Sequence, residues 1–202
     1  MHKELHSRGY IPHWEAGDVP QAITFRLADS LPRRVLDQWR DELNALPPDK
    51  AGIRRRARID AALDRGKGDA LLSKPEIAQL VENAFLHFDG ERYRLHAWCV
   101  MPNHIHVMVT PMMGHTLAAI VHSWKSFTSK RANRMLNRAG PFWSREYFDR
   151  AIRDEAHYDN AMTYLWMNPV KARLCQAPED WRFSSAWIGR KSRQDASGPR
   201  QE

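Results

Sequence analysis

Pro102-Asn103-His104-Ile105-His106-Val107-Met108-Val109 is the stretch whose reading decides the fold. Successive side chains on a strand point to opposite faces. Ile105, Val107 and Val109 therefore share one face, and three β-branched residues in a row form a core surface. His104 and His106 share the other face. Just upstream, residues 92–100 also read as a strand, and Met101-Pro102-Asn103 is turn chemistry. The spacing predicts an antiparallel hairpin of 92–100 with 104–110.

Working outward, Ile23-Thr24-Phe25-Arg26-Leu27 alternates in the same way and predicts a further strand. Residues 31–46 read as a helix, with Ser30 as cap, Pro32 in the first turn and Val35, Leu36, Trp39, Leu43 and Leu46 as its apolar stripe. Residues 75–87 predict another helix and 115–137 a long basic amphipathic one. Residues 141–152 read as a short extended connection. A last helix is expected over 154–168, with Asp154 near its start and Pro169 as its stop. Gly9, Pro12, Gly17 and Pro20 make residues 1–20 look irregular. The order is strand, helix, helix, hairpin, helix, short strand, helix. It predicts an α+β fold with helices packed on a mostly antiparallel sheet. A single domain is expected over 1–190, with a basic helical insertion at about 49–70 and a disordered tail at 191–202.

The chain has 202 residues, enough for one sizeable core. No stretch approaches the roughly 20 apolar residues that span a bilayer. Met1-His2-Lys3-Glu4-Leu5 lacks the apolar core of a secretory signal. Only Cys99 and Cys175 are present, which fits a reducing cytoplasm. The net charge is +7, and it is concentrated in two zones. Residues 50–67 and residues 121–150 each hold seven Lys or Arg against two acidic residues. Each zone alone reads as a solvated face. Together, in a chain with eight Trp, they fit the electrostatic footprint of a nucleic-acid binder whose aromatic rings stack unpaired bases.

Two motifs carry chemistry. Two imidazoles on one strand face are close enough to bind one divalent ion. On the last helix, His157, Asn160, Tyr164 and Asn168 fall on one face, beside an apolar stripe of Tyr158, Ala161, Met162 and Leu165. Pro169 disfavours helical backbone at Asn168, so the last turn is expected to open. Taken singly, each motif has a plainer reading: one core histidine and one at a strand end, a half-buried tyrosine, and an asparagine cap. Taken together they suit one reaction. Two imidazoles and an amide oxygen leave open positions on an ion that polarises a phosphodiester, while a tyrosine hydroxyl attacks phosphorus. This requires that both imidazoles and the phenol converge on one cleft.

Trp98-Cys99-Val100-Met101-Pro102-Asn103-His104-Ile105-His106-Val107 resembles the metal-binding strand of the HUH nucleases. Tyr164-Leu165-Trp166-Met167-Asn168-Pro169-Val170-Lys171-Ala172-Arg173-Leu174 resembles the tyrosine helix of single-tyrosine transposases, and most closely that of the REP-associated tyrosine transposases. Ile11-Pro12-His13-Trp14-Glu15, Thr24-Phe25-Arg26-Leu27-Ala28-Asp29-Ser30, Ser123-Trp124-Lys125-Ser126-Phe127-Thr128 and Trp143-Ser144-Arg145-Glu146-Tyr147-Phe148-Asp149-Arg150 are similar as well, and the likeness covers about residues 9–188. The resemblance implies a ferredoxin-like fold and a Mg²⁺- or Mn²⁺-dependent nuclease and strand transferase. Its substrate would be single-stranded DNA at REP hairpins. By position it makes His104, His106 and Asn168 the metal ligands and Tyr164 the nucleophile, left joined to a DNA 5′ end. Lys125, Arg131 and Arg134 are the expected phosphate contacts, Arg26 a reader of a base edge, and 50–67 a contact to the hairpin stem. The alternatives are a hairpin-binding module that does not cut and a phosphodiesterase that uses water. No membrane partner is expected, the location is cytoplasmic and nucleoid-associated, and monomer and homodimer both stay open.

Overall fold

A computed structural model describes residues 4–7, 12–15, 18–31, 58, 61–63 and 68–187. Strands β1 (Glu4–Ser7) and β2 (Pro12–Glu15) pair antiparallel as a separate two-stranded sheet. They occupy the stretch expected to be irregular. Gly9 falls between the two strands and Gly17 and Pro20 follow them, so these residues punctuate short strands and do not abolish them.

The main sheet is built from β3 (Gln21–Leu27), β4 (Tyr93–Val100), β5 (His104–Pro111) and β6 (Trp143–Ala151). Its order is β4-β5-β3-β6, with every neighbouring pair antiparallel. Helix α1 (Pro75–Leu86) lies between β3 and β4 in the chain, and α2 (Leu117–Met135) between β5 and β6. The result is a β-α-β-β-α-β ferredoxin-like sheet, the α+β class expected. The region expected as a short connection is the nine-residue β6. Its partner is β3, which it reaches only through the crossover, so its length could not be read from its own residues. The expected helix over 31–46 beyond Leu31, all of 49–70 except 58, 61–63 and 68–70, and the tail from 191 lie outside the described residues.

The hairpin reading holds in detail. Ile105, Val107 and Val109 join Ile23, Phe25 and Leu27 of β3 in the main core, covered by Ile77, Val81 and Phe85 of α1 and Leu117, Val121 and Trp124 of α2. Aromatic rings meet edge to face here: Phe25 on Trp143 and Phe85 on Trp124, each at 4.9 Å. Each Trp in this core also satisfies its indole N–H, as burial of that group demands. Trp124 donates to the Tyr93 hydroxyl, Trp143 to Thr128 Oγ1 and Trp98 to Glu82 Oε1. These three tryptophans are thus core residues, not base-stacking surfaces.

The opposite sheet face carries α3 (Glu155–Lys171). Asp154 caps it by accepting from the His157 amide at 2.8 Å. Tyr158, Ala161, Met162, Leu165 and Trp166 pack on Ala97, Cys99 and Met108. The helix does not open at Asn168, contrary to the expectation. It runs through Pro169 to Lys171, and the amides of Ala172 and Leu174 close the last turn on the carbonyls of Asn168 and Pro169. Pro169 forfeits one helical bond, while burial of Leu165, Asn168 and Pro169 holds the turn in place.

Two further ties fasten α3 to the sheet. Residues 181–187 lie along the outer edge of β4: Val100 N–H donates to the Phe183 carbonyl and Trp181 Nε1 to the Val100 carbonyl. Ser185 Oγ accepts from the Trp98 amide and from Trp166 Nε1, linking strand, strap and helix. Near the other end of α3, the Tyr158 hydroxyl meets His96 Nδ1 at 3.2 Å, and His96 Nε2 meets Thr110 Oγ1 at 2.8 Å. His96 sits where β4 shifts register against β5, a bulge that re-aims the side chain. Burial, followed by the charge of Arg94, holds its pKa below the ordinary 6.5. The unfolded chain then binds more protons just below pH 6.5, so stability falls as pH drops through that window. In His96→Gln this acid-side slope is expected to flatten, as measured by urea unfolding between pH 5 and 7.5.

Candidate functional site

The register of β3 on β5 sets Thr24 opposite His106 and Arg26 opposite His104. Cross-strand partners share a face, so all four residues lie on the face covered by α3. His104 and His106 are 1% and 2% exposed. Their Nε2 atoms stand 3.0 Å apart. His104 Nδ1 is 2.7 Å from Asn103 Oδ1, and His106 Nδ1 is 3.0 Å from Thr24 Oγ1. Both rings are therefore held by their inner nitrogens, with their outer nitrogens turned to a common point.

Tyr164 reaches His106 from α3. Its ring meets His106 edge to face at 5.7 Å between centroids, and Lys171 Nζ stands over the ring at 4.5 Å from its centre. One turn on, Asn168 is 2% exposed and donates from Nδ2 to the Tyr164 carbonyl at 2.7 Å. That leaves Oδ1 as the amide atom available to an incoming group. The structure thus sets the Tyr164 ring beside the imidazole pair within one chain.

The cationic candidates are placed differently from one another. Arg26 is 7% exposed and directs its guanidinium to Ser30 Oγ and the Leu27 carbonyl. Burial lowers its pKa to about 10, so it stays charged at neutral pH beside the histidine strand. Lys125 donates to the carbonyls of Ser144 at 2.7 Å and Arg145 at 2.8 Å, fastening α2 to β6. Its pKa falls to about 8, through burial first; Glu146 counters this shift and Arg26 adds to it. Arg131 and Arg134 are exposed on the outer side of α2. The 19 residues of this helix include no Asp or Glu.

Sequence reading missed four residues at these surfaces. Thr24 and Asn103 support the histidine rings, and only the cross-strand register and the turn geometry reveal them. Lys171 could have been found seven positions after Tyr164, on the same helical face. Phe127 is 47% exposed, with the Arg131 guanidinium 5.8 Å from its ring centre; it lies four residues before Arg131.

A metal fits the histidine pair on its own geometry. Neighbouring ligands about 2.1 Å from an octahedral ion stand about 3.0 Å apart, the separation of the two Nε2 atoms. Among the described residues no group of three His, Cys, Asp or Glu forms around an ion site; the Asn168 amide oxygen is the further donor at hand among them. Two imidazole nitrogens suit a transition ion such as Mn²⁺ better than Mg²⁺, which prefers oxygen.

The ferredoxin-like sheet bears paired histidines, with a tyrosine helix against it, the arrangement that the resemblance of the two motifs implies. In agreement, residues 73–167 match the family described as transposase IS200 like, a span that holds His104, His106 and Tyr164. The particular proteins it resembles are REP-associated tyrosine transposases, so the likeness seen in the two motifs is borne out. The chain is 29% identical over 99 residues to a Haemophilus influenzae protein named "Putative REP-associated tyrosine transposase", covering 44% of this chain and 56% of that one. It is 26% identical over 110 residues to the REP-associated tyrosine transposase of Escherichia coli, covering 53% and 63%. The chain therefore spans about three-fifths of the length of these relatives. A REP-associated tyrosine transposase solved bound to a REP hairpin shares the fold, with a TM-score of 0.53 at 16% identity over 86% of this chain and 79% of that one. No helix among the described residues is long and apolar enough to cross a membrane.

Proposed function

We propose that the chain is a metal-assisted single-strand DNA endonuclease and strand transferase of the HUH type, acting at REP hairpins. The observation that carries this reading is the meeting of Tyr164 with His106, whose Nε2 faces that of His104. In the reaction, the Tyr164 oxygen forms a bond to phosphorus and gives up its proton. The P–O3′ bond breaks, and the 3′ oxygen takes a proton and leaves as a free hydroxyl. The DNA 5′ end stays on the tyrosine, storing the phosphodiester bond for transfer to a second strand.

His104, His106 and the Asn168 amide oxygen would hold Mn²⁺ or Mg²⁺. The ion supplies Lewis-acid polarisation of a phosphate oxygen. Lys171 adds positive charge beside the phenol, favouring the phenolate and drawing in phosphate. The supporting test is incubation of single-stranded REP DNA with Mn²⁺, reading a protein–DNA adduct that survives denaturation. Binding without cleavage would support a hairpin-binding module. Cleavage without adduct would support a water mechanism.

DNA would follow the acid-free face of α2. Phe127, Arg131 and Arg134 fall at i, i+4 and i+7, a single stripe. Phosphates would meet the guanidinium groups and a base would stack on Phe127. Stacking on one aromatic ring is worth about 1–3 kcal/mol. Phe127→Ala is therefore expected to weaken single-strand binding about 5- to 150-fold with an unchanged salt slope, whereas Arg131→Ala lowers that slope by about one counterion. Fluorescence anisotropy across a salt series separates the two effects. Residues 50–67 would contact the stem. Replacing Arg54, Arg55 and Arg56 by Ala, which keeps Ala62 and Leu63 in the core, is expected to weaken hairpin binding and leave binding of an unpaired oligonucleotide unchanged. Equal loss for both ligands would sink that assignment.

A further inference from the structure

The metal-facing histidines are wired into a hydrogen-bond chain whose direction is fixed at one end. Asn103 is 1% exposed and donates from Nδ2 to the carbonyl of Leu63 at 3.0 Å. A carbonyl oxygen can only accept, so the NH₂ end of the amide must face Leu63. The Oδ1 end then faces His104 Nδ1 at 2.7 Å, and since Oδ1 can only accept, Nδ1 must carry the proton. A neutral His104 protonated at Nδ1 has a bare Nε2, ready to bind a metal. With that lone pair 3.0 Å from His106 Nε2, His106 must carry its proton on Nε2 and donate to His104. His106 Nδ1 is then bare and accepts from the Thr24 hydroxyl at 3.0 Å.

We propose that Asn103 and Thr24 are positioning residues for the metal site, with opposite tasks. Asn103, oriented by the Leu63 carbonyl, locks His104 permanently in its metal-binding tautomer. Thr24 permits His106 to change tautomer. Before a cation can occupy the pair, His106 must move its proton from Nε2 to Nδ1. Thr24 is suited to this because its hydroxyl rotates and can switch from donor to acceptor. The exchange leaves the charge of both rings unchanged, and it places Nδ1–H on a protein oxygen in each, the arrangement that orients metal-ligating histidines. The proposal rests on the functional reading only for the identity of the bound cation, since the tautomers of the metal-free chain can be observed directly.

The test is long-range ¹H–¹⁵N correlation on the ¹⁵N-labelled full chain at pH 8, stripped of metal and then titrated with diamagnetic Zn²⁺. Mn²⁺ affinity is measured in parallel by electron paramagnetic resonance, and folding by circular dichroism. The expected metal-free state has His104 protonated at Nδ1 and His106 at Nε2. Zn²⁺ is expected to move His106, and not His104, to the Nδ1-protonated form. Asn103→Ala is expected to weaken Mn²⁺ binding about 10- to 100-fold and to let His104 populate both tautomers. Asn103→Asp keeps the acceptor and loses the donor to Leu63, so His104 is expected to stay protonated at Nδ1 while Mn²⁺ affinity falls less than in Asn103→Ala. Thr24→Val is expected to lose affinity and Thr24→Ser to regain it. A purely structural role would lower the melting temperature of these variants without changing tautomer or affinity, and would overturn the proposal. So would His104 protonated at Nε2 in the wild-type chain. The expected tautomers in a chain that takes up no Mn²⁺ or Zn²⁺ would uphold the hydrogen-bond chain and overturn the metal-assisted reading instead.

Discussion

Tyr164→Phe is expected to abolish the denaturation-resistant protein–DNA adduct, a loss of more than about 10³-fold, while DNA affinity stays within about twofold of wild type. The substitution removes one oxygen and keeps the ring. The edge-to-face packing on His106 and the position under Lys171 depend on that ring, so fold and binding surface are preserved. Tyr158 is the nearby competitor on the same helix. Its hydroxyl is committed to His96, and burial followed by the charge of Asp159 raises its pKa. Tyr158→Phe is therefore expected to lose the contact to His96 and keep the adduct. Adduct formation in Tyr164→Phe that vanishes in Tyr158→Phe would reassign the nucleophile. Undiminished cleavage in both would point to water.

The second large effect is expected at the histidine pair. His104→Ala and His106→Ala should each lower Mn²⁺ affinity more than about 100-fold, because each removes half of a two-nitrogen clamp. Adduct formation should fall in parallel, and added Mn²⁺ should restore part of it. Both side chains are buried, so truncation also leaves a cavity. His106→Gln keeps an acceptor within reach of Thr24 and separates loss of metal from loss of packing. Unchanged Mn²⁺ binding in well-folded His104→Ala would remove the metal from the site.

Most of the sheet was legible because its strands are half-buried and alternate. Ile105, Val107 and Val109 announced a core face and so placed His104 and His106 on the other. Long helices with one apolar stripe and a clear start, such as 75–87 with Pro75 at its first position and 154–168 with the Asp154 cap, were visible for the same reason. What failed was whatever depends on a distant partner. β1 and β2 are four residues each, too short for a period to show. The length of β6 is set by β3 across the crossover. Pro169 signals a helix stop locally, but burial of the same turn overrides it. In the site, residue types suggested the His and Tyr partners, whereas Asn103 and Thr24 emerge only when Leu63 and β3 are brought beside the histidine strand. The burial of Arg26 and the tethering of Lys125 likewise belong to tertiary packing, since in sequence both are simply cations.

The strap of residues 181–187 along β4 bears on how the protein behaves in a test tube. It occupies hydrogen-bonding groups that an outermost strand would otherwise offer to any neighbour with a free edge. Shortening the chain to residue 180 would bare Val100 and Trp98, strip Trp166 of its anchor and leave a ready seam for fibrous or tangled assembly. Such a truncation should come out of the cell as insoluble material, even though it leaves the two histidines and the tyrosine untouched.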